Sequence, residues 1–166
     1  MKKAELLNTH QFKMNSPIGT LYLVATSKGL QGVYWKKQPS PITKSLVGTQ
    51  PSVRNLAQAA NELEEYFDGR RKKFTLPLDL AGTPFQKSVW AQLQKIPYGG
   101  TCSYKDIASK IKNSKAVRAV GSANGKNPLC IIIPCHRVIA SDGSPGGYSG
   151  GTSLKTRLLT LEKKES

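Results

Sequence analysis

The sequence predicts an α/β domain with a small antiparallel sheet and one helix over residues 1–82, followed by a mostly helical domain over residues 83–166. Three observations predict this fold class. β-branched and aromatic residues alternate with turn residues over 10–35. Apolar residues then recur at helical spacing over 53–67. Two short helical patterns joined by a tight polar turn occupy 103–127, which favours a helix-turn-helix.

The N-terminal sheet is predicted from three short strand patterns. They read "HQFKMN", "LYLVAT" and "LQGVYW", and the turn-forming segments "SPIGT" and "SKG" separate them. Such short connections are typical of an antiparallel meander. Residues 36–52 hold three prolines and many Ser and Thr, so they predict a loop.

The first helix is predicted from Val53 to Phe67, where apolar residues recur every three or four positions. The dipeptide Asp68-Gly69 supplies its end, because glycine readily takes the left-handed conformation that follows a helix.

The second domain is predicted to begin with a capped helix at "TPFQ". Thr83 is its N-cap, Pro84 suits the first helical position, and Gln86 completes a capping box. The chain is predicted to end in a helix over about residues 153–163. Three leucines share one face of it: Leu154, Leu158 and Leu161.

The helix-turn-helix is predicted within "SYKDIASKIKNSKAVRAVGSANGKN", residues 103–127. Ser103 and Asp106 have capping-box spacing. Asn113-Ser114 is expected to end the first helix and to cap the second. The segment carries six cations against the single acid Asp106, and this imbalance favours DNA as the partner. The cations are Lys105, Lys110, Lys112, Lys115, Arg118 and Lys126.

The charge balance narrows the class of partner. The chain carries 25 Lys+Arg against 10 Asp+Glu, a net +15, which favours nucleic acid first and an anionic membrane surface second. Residues 83–166 hold 13 of these cations and four acids, a net +9, against 12 and six, a net +6, before them. No apolar run is long enough to span a membrane.

The N-terminal residues and the number of cysteines predict the cellular compartment. The first ten residues contain no apolar stretch long enough for a signal peptide, and three cysteines is an odd number. We therefore expect a cytoplasmic protein with reduced thiols.

The segment "IIIPCHRVIASDGSPGGYSGG", residues 131–151, places Cys135 beside His136. A thiol reacts as its thiolate, which a neighbouring base or cation must favour. Neighbours on a strand point to opposite faces, so the chain must turn at Pro134-Cys135 if the two side chains cooperate. An inert buried thiol is one alternative. A metal site that adds Cys102 and Cys130 is another, although its spacing matches no usual zinc motif.

Three segments in this order resemble the methylated-DNA–protein-cysteine methyltransferases, also called O6-alkylguanine-DNA alkyltransferases. They are "TPFQKSVW", "SYKDIASKIKNSKAVRAVGSANGKNP" and "IIIPCHRVIASDGSPGGYSGG", and the resemblance extends over about residues 83–164. It implies a ribonuclease-H-like fold for the N-terminal domain and a winged helix-turn-helix in the C-terminal one.

The resemblance also implies an activity. An alkyl group, chiefly methyl, passes irreversibly from O6 of guanine in double-stranded DNA to Cys135, once per molecule, after the base is flipped out of the duplex. We expect a monomer, and no segment of the sequence indicates a cofactor site. Some family members hold a structural zinc with Cys and His of the N-terminal part, which here has no Cys and only His10, so we expect no metal. Repair of alkylated thymine and cooperative binding along DNA stay open.

The implied relay consists of Cys135, His136 acting through a water molecule, and Glu162 behind the histidine. At 100° per residue, Glu162 lies beside the leucine stripe of the last helix, where an acid is more often a solvated border residue. Cys130 departs from the family, which often has proline at this position.

Further roles come from the same resemblance. Tyr104 rotates a phosphate and protonates the leaving guanine, and Asn127 is a hinge before the active-site strand. Arg118 fills the stack that the flipped base leaves. The basic excess of the helix-turn-helix adds Lys115 and Lys126 as expected DNA-binding residues, together with Ser103, and the small Ala119 suits close approach of the second helix to DNA. The residues of the base pocket are Tyr148, Ser149 and Val138, the last through its backbone carbonyl.

Two other functions stay open on the sequence. One is a DNA-binding module without catalysis, as in relatives that have replaced the nucleophile, although Cys135 is present here. The other is a thiol hydrolase, for which no motif supplies a substrate cleft.

Overall fold

The computed structural model describes residues 8–164 of the chain. It divides into two compact units, one that ends at Ala81 and one that begins at Gly82. The expectation that the N-terminus holds no signal peptide falls largely on residues 1–7, outside the described part. Within residues 8–164, no helix is both long enough and apolar enough to cross a membrane.

The first unit contains the predicted antiparallel sheet, in the order β1-β2-β3. Its strands are β1 (His10–Ser16), β2 (Gly19–Ala25) and β3 (Leu30–Tyr34). The β1–β2 pairing runs without a break from His10 opposite Ala25 to Ser16 opposite Gly19, so a tight turn joins the two strands. The meander is confirmed.

Helix α1 (Pro51–Phe67) contacts all three strands of this sheet. It begins two residues before the predicted start, because proline suits the first turn of a helix. It ends as predicted, since Gly69 has φ 74°. Its sheet-facing side chains are fully buried: Leu56, Ala59, Leu63 and Tyr66.

The second unit opens with α2 (Pro84–Leu93), whose predicted capping box is present. The Thr83 hydroxyl accepts a hydrogen bond from the Gln86 amide at 3.2 Å, and the Gln86 side chain accepts one from the Thr83 amide at 2.9 Å. The Trp90 indole donates to the Ala123 carbonyl at 2.9 Å, which ties this helix to the helix-turn-helix.

The helix-turn-helix consists of α3 (Tyr104–Lys110) and α4 (Val117–Gly125). Ser103 and Asp106 form the predicted capping box on α3. The predicted cap of α4 by Asn113-Ser114 is wrong, because the N-cap position is Ala116 and carries no side-chain cap. The chain instead passes through Lys112 at φ 59° and a further turn before α4 begins.

The remaining elements surround the Cys-His segment. Strand β4 (Cys102–Ser103) pairs in parallel with β5 (Val138–Ile139), and α5 (Thr152–Lys164) ends the described chain. The expected active-site strand before Cys135 is absent. Residues 129–134 form successive turns instead, with Ile131 at φ 75°.

Candidate active site

Cys135 and His136 lie in a 3₁₀ turn that spans Cys135–Arg137. The turn that cooperation of the pair requires is therefore present, directly after Pro134. All three side chains of the turn are buried, with at most 5% of each residue exposed. Because a 3₁₀ turn has three residues per turn, the three successive side chains point in different directions.

Glu162, from α5, joins the turn to the last helix. Its Oε1 lies 2.7 Å from His136 Nε2, and Arg137 donates to both of its carboxylate oxygens, at 2.8 and 2.9 Å. Burial opposes ionisation, but the hydrogen bonds from His136 and Arg137 outweigh it and lower the pKa of Glu162 to about 2. The carboxylate is therefore charged at neutral pH.

His136 is a neutral base in this environment, because complete burial lowers its pKa below 6.5 despite Glu162. An ionised carboxylate only accepts hydrogen bonds, so Nε2 carries the imidazole proton and Nδ1 carries the lone pair. Nδ1 is buried and has no hydrogen-bond partner among residues 8–164. A lone pair in that condition can receive a proton.

Cys135 rests as a thiol. A hydrogen bond with the Cys130 thiol and burial raise its pKa, while Asn127 and the cation of Lys155 act in the opposite direction. A reaction of Cys135 through its thiolate would therefore need a base such as His136 to remove the proton.

Asn127 holds the backbone before the nucleophile in place. Its amide donates to the Ile133 carbonyl at 2.7 Å, and its oxygen accepts from the Leu129 amide at 2.9 Å. It also acts to lower the pKa of the Cys135 thiol. Asn127 thus closes the turns that replace the expected strand.

Lys155 is a buried cation that the sequence did not predict. Its Nζ donates to the carbonyls of Val138 and Gly147, the latter at 3.2 Å, and lies 5.9 Å from the centre of the Tyr104 ring. Burial lowers its pKa.

The buried face of α5 explains why Lys155 and Arg137 were missed. Lys155, Leu158 and Glu162 are fully buried, whereas Leu154 and Leu161 are only partly so. The face is thus rotated by about one residue from the leucine stripe, and it carries two charges. The sequence signal for this face was the spacing of Lys155, Leu158 and Glu162, which at i, i+3 and i+7 lie on one side of a helix. Arg137 offered none.

Tyr104 is half-buried at the first turn of α3. Burial raises its pKa, and the charge of a Cys135 thiolate would add to that effect, so the phenol keeps its proton. Gly146, at φ 70°, packs against it, and a Cβ there would lie 2.7 Å from the phenol oxygen. Only glycine suits this close approach.

The proposed base-pocket residues lie partly around the thiols. Ser149 Oγ is 3.4 Å from Cys130 Sγ. Tyr148 is half-buried, and its carbonyl accepts from the Gly151 amide at 3.0 Å. The Val138 carbonyl accepts from Lys155, and the Cys135 carbonyl accepts from the Asn124 amide at 3.4 Å. Two buried side chains therefore fix the direction of the two carbonyls.

The proposed DNA-binding residues are mostly exposed, in contrast to the buried Cys130 and Cys135. Lys115, Arg118, Ala119 and Lys126 are exposed on α4 and at its two ends. Ser103 is half-buried, and its hydroxyl caps α3.

The residues of the alternative metal site, which adds Cys102 and Cys130 to the Cys135–His136 pair, do not share one set of contacts. Cys102 contacts Asp106 and Lys110, whereas Cys130 contacts Ser149 and the Asn127 carbonyl. Over the described range 8–164, no group of three His, Cys, Asp or Glu side chains is placed to hold a metal ion.

Comparison with known families first defines the class of protein. Residues 84–164 match the family model "6-O-methylguanine DNA methyltransferase, DNA binding domain". Residues 10–80 match "6-O-methylguanine DNA methyltransferase, ribonuclease-like domain". Together the two models cover most of the chain, so both predicted fold types are confirmed.

The chain therefore belongs to the methylated-DNA–protein-cysteine methyltransferases, a family of enzymes. It is 45% identical to the family member of Methanosarcina barkeri, over 90% of this chain and 94% of that one. It is 45% identical to the inducible enzyme of Bacillus subtilis, over 87% and 85% of the two chains. The crystal structure of Mycobacterium tuberculosis OGT in complex with DNA is similar, with TM-score 0.84, 39% identity and coverage of 95% and 94%.

Proposed function

We propose that this protein repairs double-stranded DNA by accepting an alkyl group, chiefly methyl, from O6 of guanine on the thiol of Cys135. The observation that carries the proposal is the buried Cys135–His136–Glu162 arrangement in a chain of this family. It provides a nucleophile, a neutral base with a free lone pair, and a charged group that orients the base.

The transfer begins when the Cys135 proton passes to His136 Nδ1, through a water molecule. The thiolate attacks the alkyl carbon, the S–C bond forms, and the C–O6 bond breaks with its electron pair staying on guanine. Tyr104 gives its proton to the leaving base. Glu162 stabilises the imidazolium, because it is ionised and 2.7 Å from Nε2.

The base would be held by the backbone carbonyls of Cys135 and Val138 and covered by Tyr148 and Ser149. Each carbonyl already accepts one side-chain hydrogen bond, from Asn124 or Lys155. A carbonyl oxygen has two lone pairs. The Cys135 carbonyl also accepts from the Val138 amide, so the guanine amino group would have to share this oxygen with donors that are already present. Asn127 keeps the nucleophile in register with these carbonyls.

The DNA would be bound by the exposed cations of the helix-turn-helix. Lys115 and Lys126 neutralise phosphates, while Ser103 contacts the backbone at the start of α3. A buried thiol cannot reach O6 inside a stacked duplex, so the base must flip out. Arg118 then fills the vacated stack, and Ala119 permits close approach of α4 to the groove.

Each molecule would act once and as a monomer. The product is a thioether, which water does not cleave readily. The groups that act on the Cys135 thiol include Cys130, Asn127 and Lys155, and none of these supplies a route that removes the alkyl group. The monomer is supported by the origin of Cys135, His136 and Glu162, which all come from one chain.

Intact mass spectrometry after incubation with O6-methylguanine duplex tests the proposal. We expect the mass of one methyl group per chain, located on Cys135, and a product plateau equal to the amount of active protein. Cys135→Ser should abolish transfer while retaining DNA affinity, whereas Cys102→Ser should retain both. Turnover beyond one equivalent, or a methyl group on another cysteine, would contradict the mechanism.

A further inference from the structure

Asn124 links the second helix of the helix-turn-helix to the backbone of Cys135. It lies in the last turn of α4 and is only 4% exposed. Its side-chain nitrogen, Nδ2, donates to the Cys135 carbonyl at 3.4 Å. The Trp90 indole donates at 2.9 Å to the carbonyl of the preceding residue, Ala123, and so holds this turn of the helix in place. The end of α4 is therefore fixed beside Cys135.

The other end of the Asn124 carboxamide is an acceptor without a donor. Its oxygen, Oδ1, is buried and has no hydrogen-bond partner among residues 8–164. Exchanging the two ends of the amide would turn an oxygen toward the Cys135 carbonyl, so the orientation with Nδ2 on that carbonyl is the favourable one. Unpaired buried acceptors are rare in native proteins, so this oxygen indicates a donor that comes from outside the chain.

The Cys135 carbonyl already has its full number of donors. It accepts from the Asn124 side chain and from the Val138 amide, and a carbonyl oxygen has two lone pairs. In the proposed binding mode, the amino group of guanine approaches this carbonyl with two N–H donors. A further acceptor beside the carbonyl is therefore needed, and Asn124 Oδ1 belongs to the same carboxamide that contacts it.

We propose that Asn124 is a specificity-determining residue, whose carboxamide oxygen accepts a hydrogen bond from the 2-amino group of the flipped alkylated guanine. The inference rests on the proposed function. Nδ2 keeps its bond to the Cys135 carbonyl meanwhile, so one side chain both holds the backbone of the nucleophile and recognises the base. Adenine and hypoxanthine lack a 2-amino group, so this contact favours guanine over other purines.

Burial of the Asn124 oxygen does not exclude this contact. Cys135 itself is only 2% exposed, so any base that reaches the sulfur must first displace residues that close the site. The segment that would cover the base, residues 146–151, holds four glycines, whose conformational freedom permits such an opening. The opening that admits the base to the sulfur also brings its amino group to Asn124.

The experiment compares two duplexes that differ only in the 2-amino group, one with O6-methylguanine and one with O6-methylhypoxanthine. The single-turnover transfer rate of each protein is measured on both duplexes, and the ratio of the two rates reports recognition of the amino group. We expect the unmodified chain to favour O6-methylguanine. Asn124→Leu should reduce the ratio about fivefold, the size of one neutral hydrogen bond.

Further variants separate recognition of the base from support of the backbone. Asn124→Ala should lose the ratio as Asn124→Leu does, whereas Asn124→Asp keeps an acceptor oxygen in either protonation state and should retain most of it. Asn55→Leu is the matched control and should leave the ratio unchanged, because the Asn55 side chain also donates to a backbone carbonyl, that of Thr26 at 2.9 Å, but in the first unit. The ratio does not depend on the folded fraction, since both duplexes meet the same sample.

Equal loss of rate on the two duplexes in Asn124→Leu and Asn124→Ala would overturn the proposal, because the side chain would then only orient the Cys135 carbonyl. An unmodified chain that repairs both bases at the same rate would overturn it too, as would loss of the ratio in Asn124→Asp. Failure of the unmodified chain to methylate Cys135 from either duplex would instead refute the proposed function, on which this proposal rests.

Discussion

Each unit of the protein buries one helical glutamate beside an arginine, and the two sites differ in what else contacts the carboxylate. In the first unit, Glu62 accepts from Gln58 at 2.9 Å and from the Thr75 amide and hydroxyl at 2.9 and 2.8 Å. Arg71 lies 3.7 Å away. In the second unit, Glu162 accepts from Arg137 and His136.

The difference shows that burial and a low pKa do not mark a functional acid. Both carboxylates are at most 2% exposed, and hydrogen bonds lower both pKa values against burial. The partners of Glu62 are fixed donors, so its bonds only hold α1 to residues 71–75. Glu162 contacts an imidazole that can exchange a proton through its other nitrogen, so in the proposed mechanism its charge acts on the reaction.

The largest expected effect separates the two acids by function. Glu162→Gln should slow methyl transfer on the order of 100-fold or more, because the imidazolium loses its counter-charge. Glu62→Gln should leave the rate within about twofold, although losing a buried charged acceptor lowers stability by about 1–3 kcal/mol. Single-turnover rates and urea unfolding measure the two quantities.

A Trp35→Phe background sharpens this test, since Trp90 is then the only tryptophan and reports on the second unit. Glu162→Gln should remain folded by this probe at the assay temperature. If Glu62→Gln loses transfer as strongly as Glu162→Gln while staying folded, the distinction between the two acids fails.

The next largest effect concerns pH: the transfer rate should fall at a higher pH than the one at which the chain unfolds. Because burial lowers the pKa of His136, transfer should persist below pH 6.5 and then fall about tenfold per pH unit as the imidazole protonates. The stability that Glu162 provides is present above its usual pKa of 4.5 and is lost as pH falls toward about 2. Activity should therefore disappear while the chain is still folded, which rate and fluorescence profiles together can check.

Coincident loss of activity and structure would contradict this order. It would mean that no group titrates in the active site before the carboxylates do. Glu62→Gln provides the matched control. It should change the pH at which the chain unfolds in acid, but not the pH range over which the transfer rate falls.

The comparison also explains what the sequence could predict. Thr83 and Ser103 were assignable as caps because capping depends on residues three positions apart. Glu162 was placed at the edge of an apolar face by periodicity alone. Lys155 and Arg137 were not found, because a cation is usually solvated and its burial depends on acceptors that only the tertiary fold supplies. The turns before Cys135 include one left-handed isoleucine, Ile131, which no local preference favours.

A smaller effect tests Arg118 on the exposed face of α4. Arg118→Ala should slow repair in duplex DNA several-fold more than transfer from the free alkylated base, because its proposed role is to occupy the vacated stack. Lys28→Ala, an exposed cation of the first unit, is the control and should change neither rate. Equal loss on both substrates would rule out the stacking role.

The smallest effect concerns Lys115, which is exposed in the turn before α4. If it neutralises one phosphate, Lys115→Ala should reduce the slope of log K against log[salt] by about 0.9, since one fewer counterion contact is released on binding. Affinity should fall to the same extent for methylated and unmethylated duplex, because a phosphate contact carries no information about the base. Lys28→Ala should leave the slope unchanged, as a cation outside the DNA-binding surface releases no counterion. Titrations at four or more salt concentrations measure both slopes. A selective loss for methylated duplex would place Lys115 in base recognition, and an unchanged slope would remove it from the DNA-binding surface.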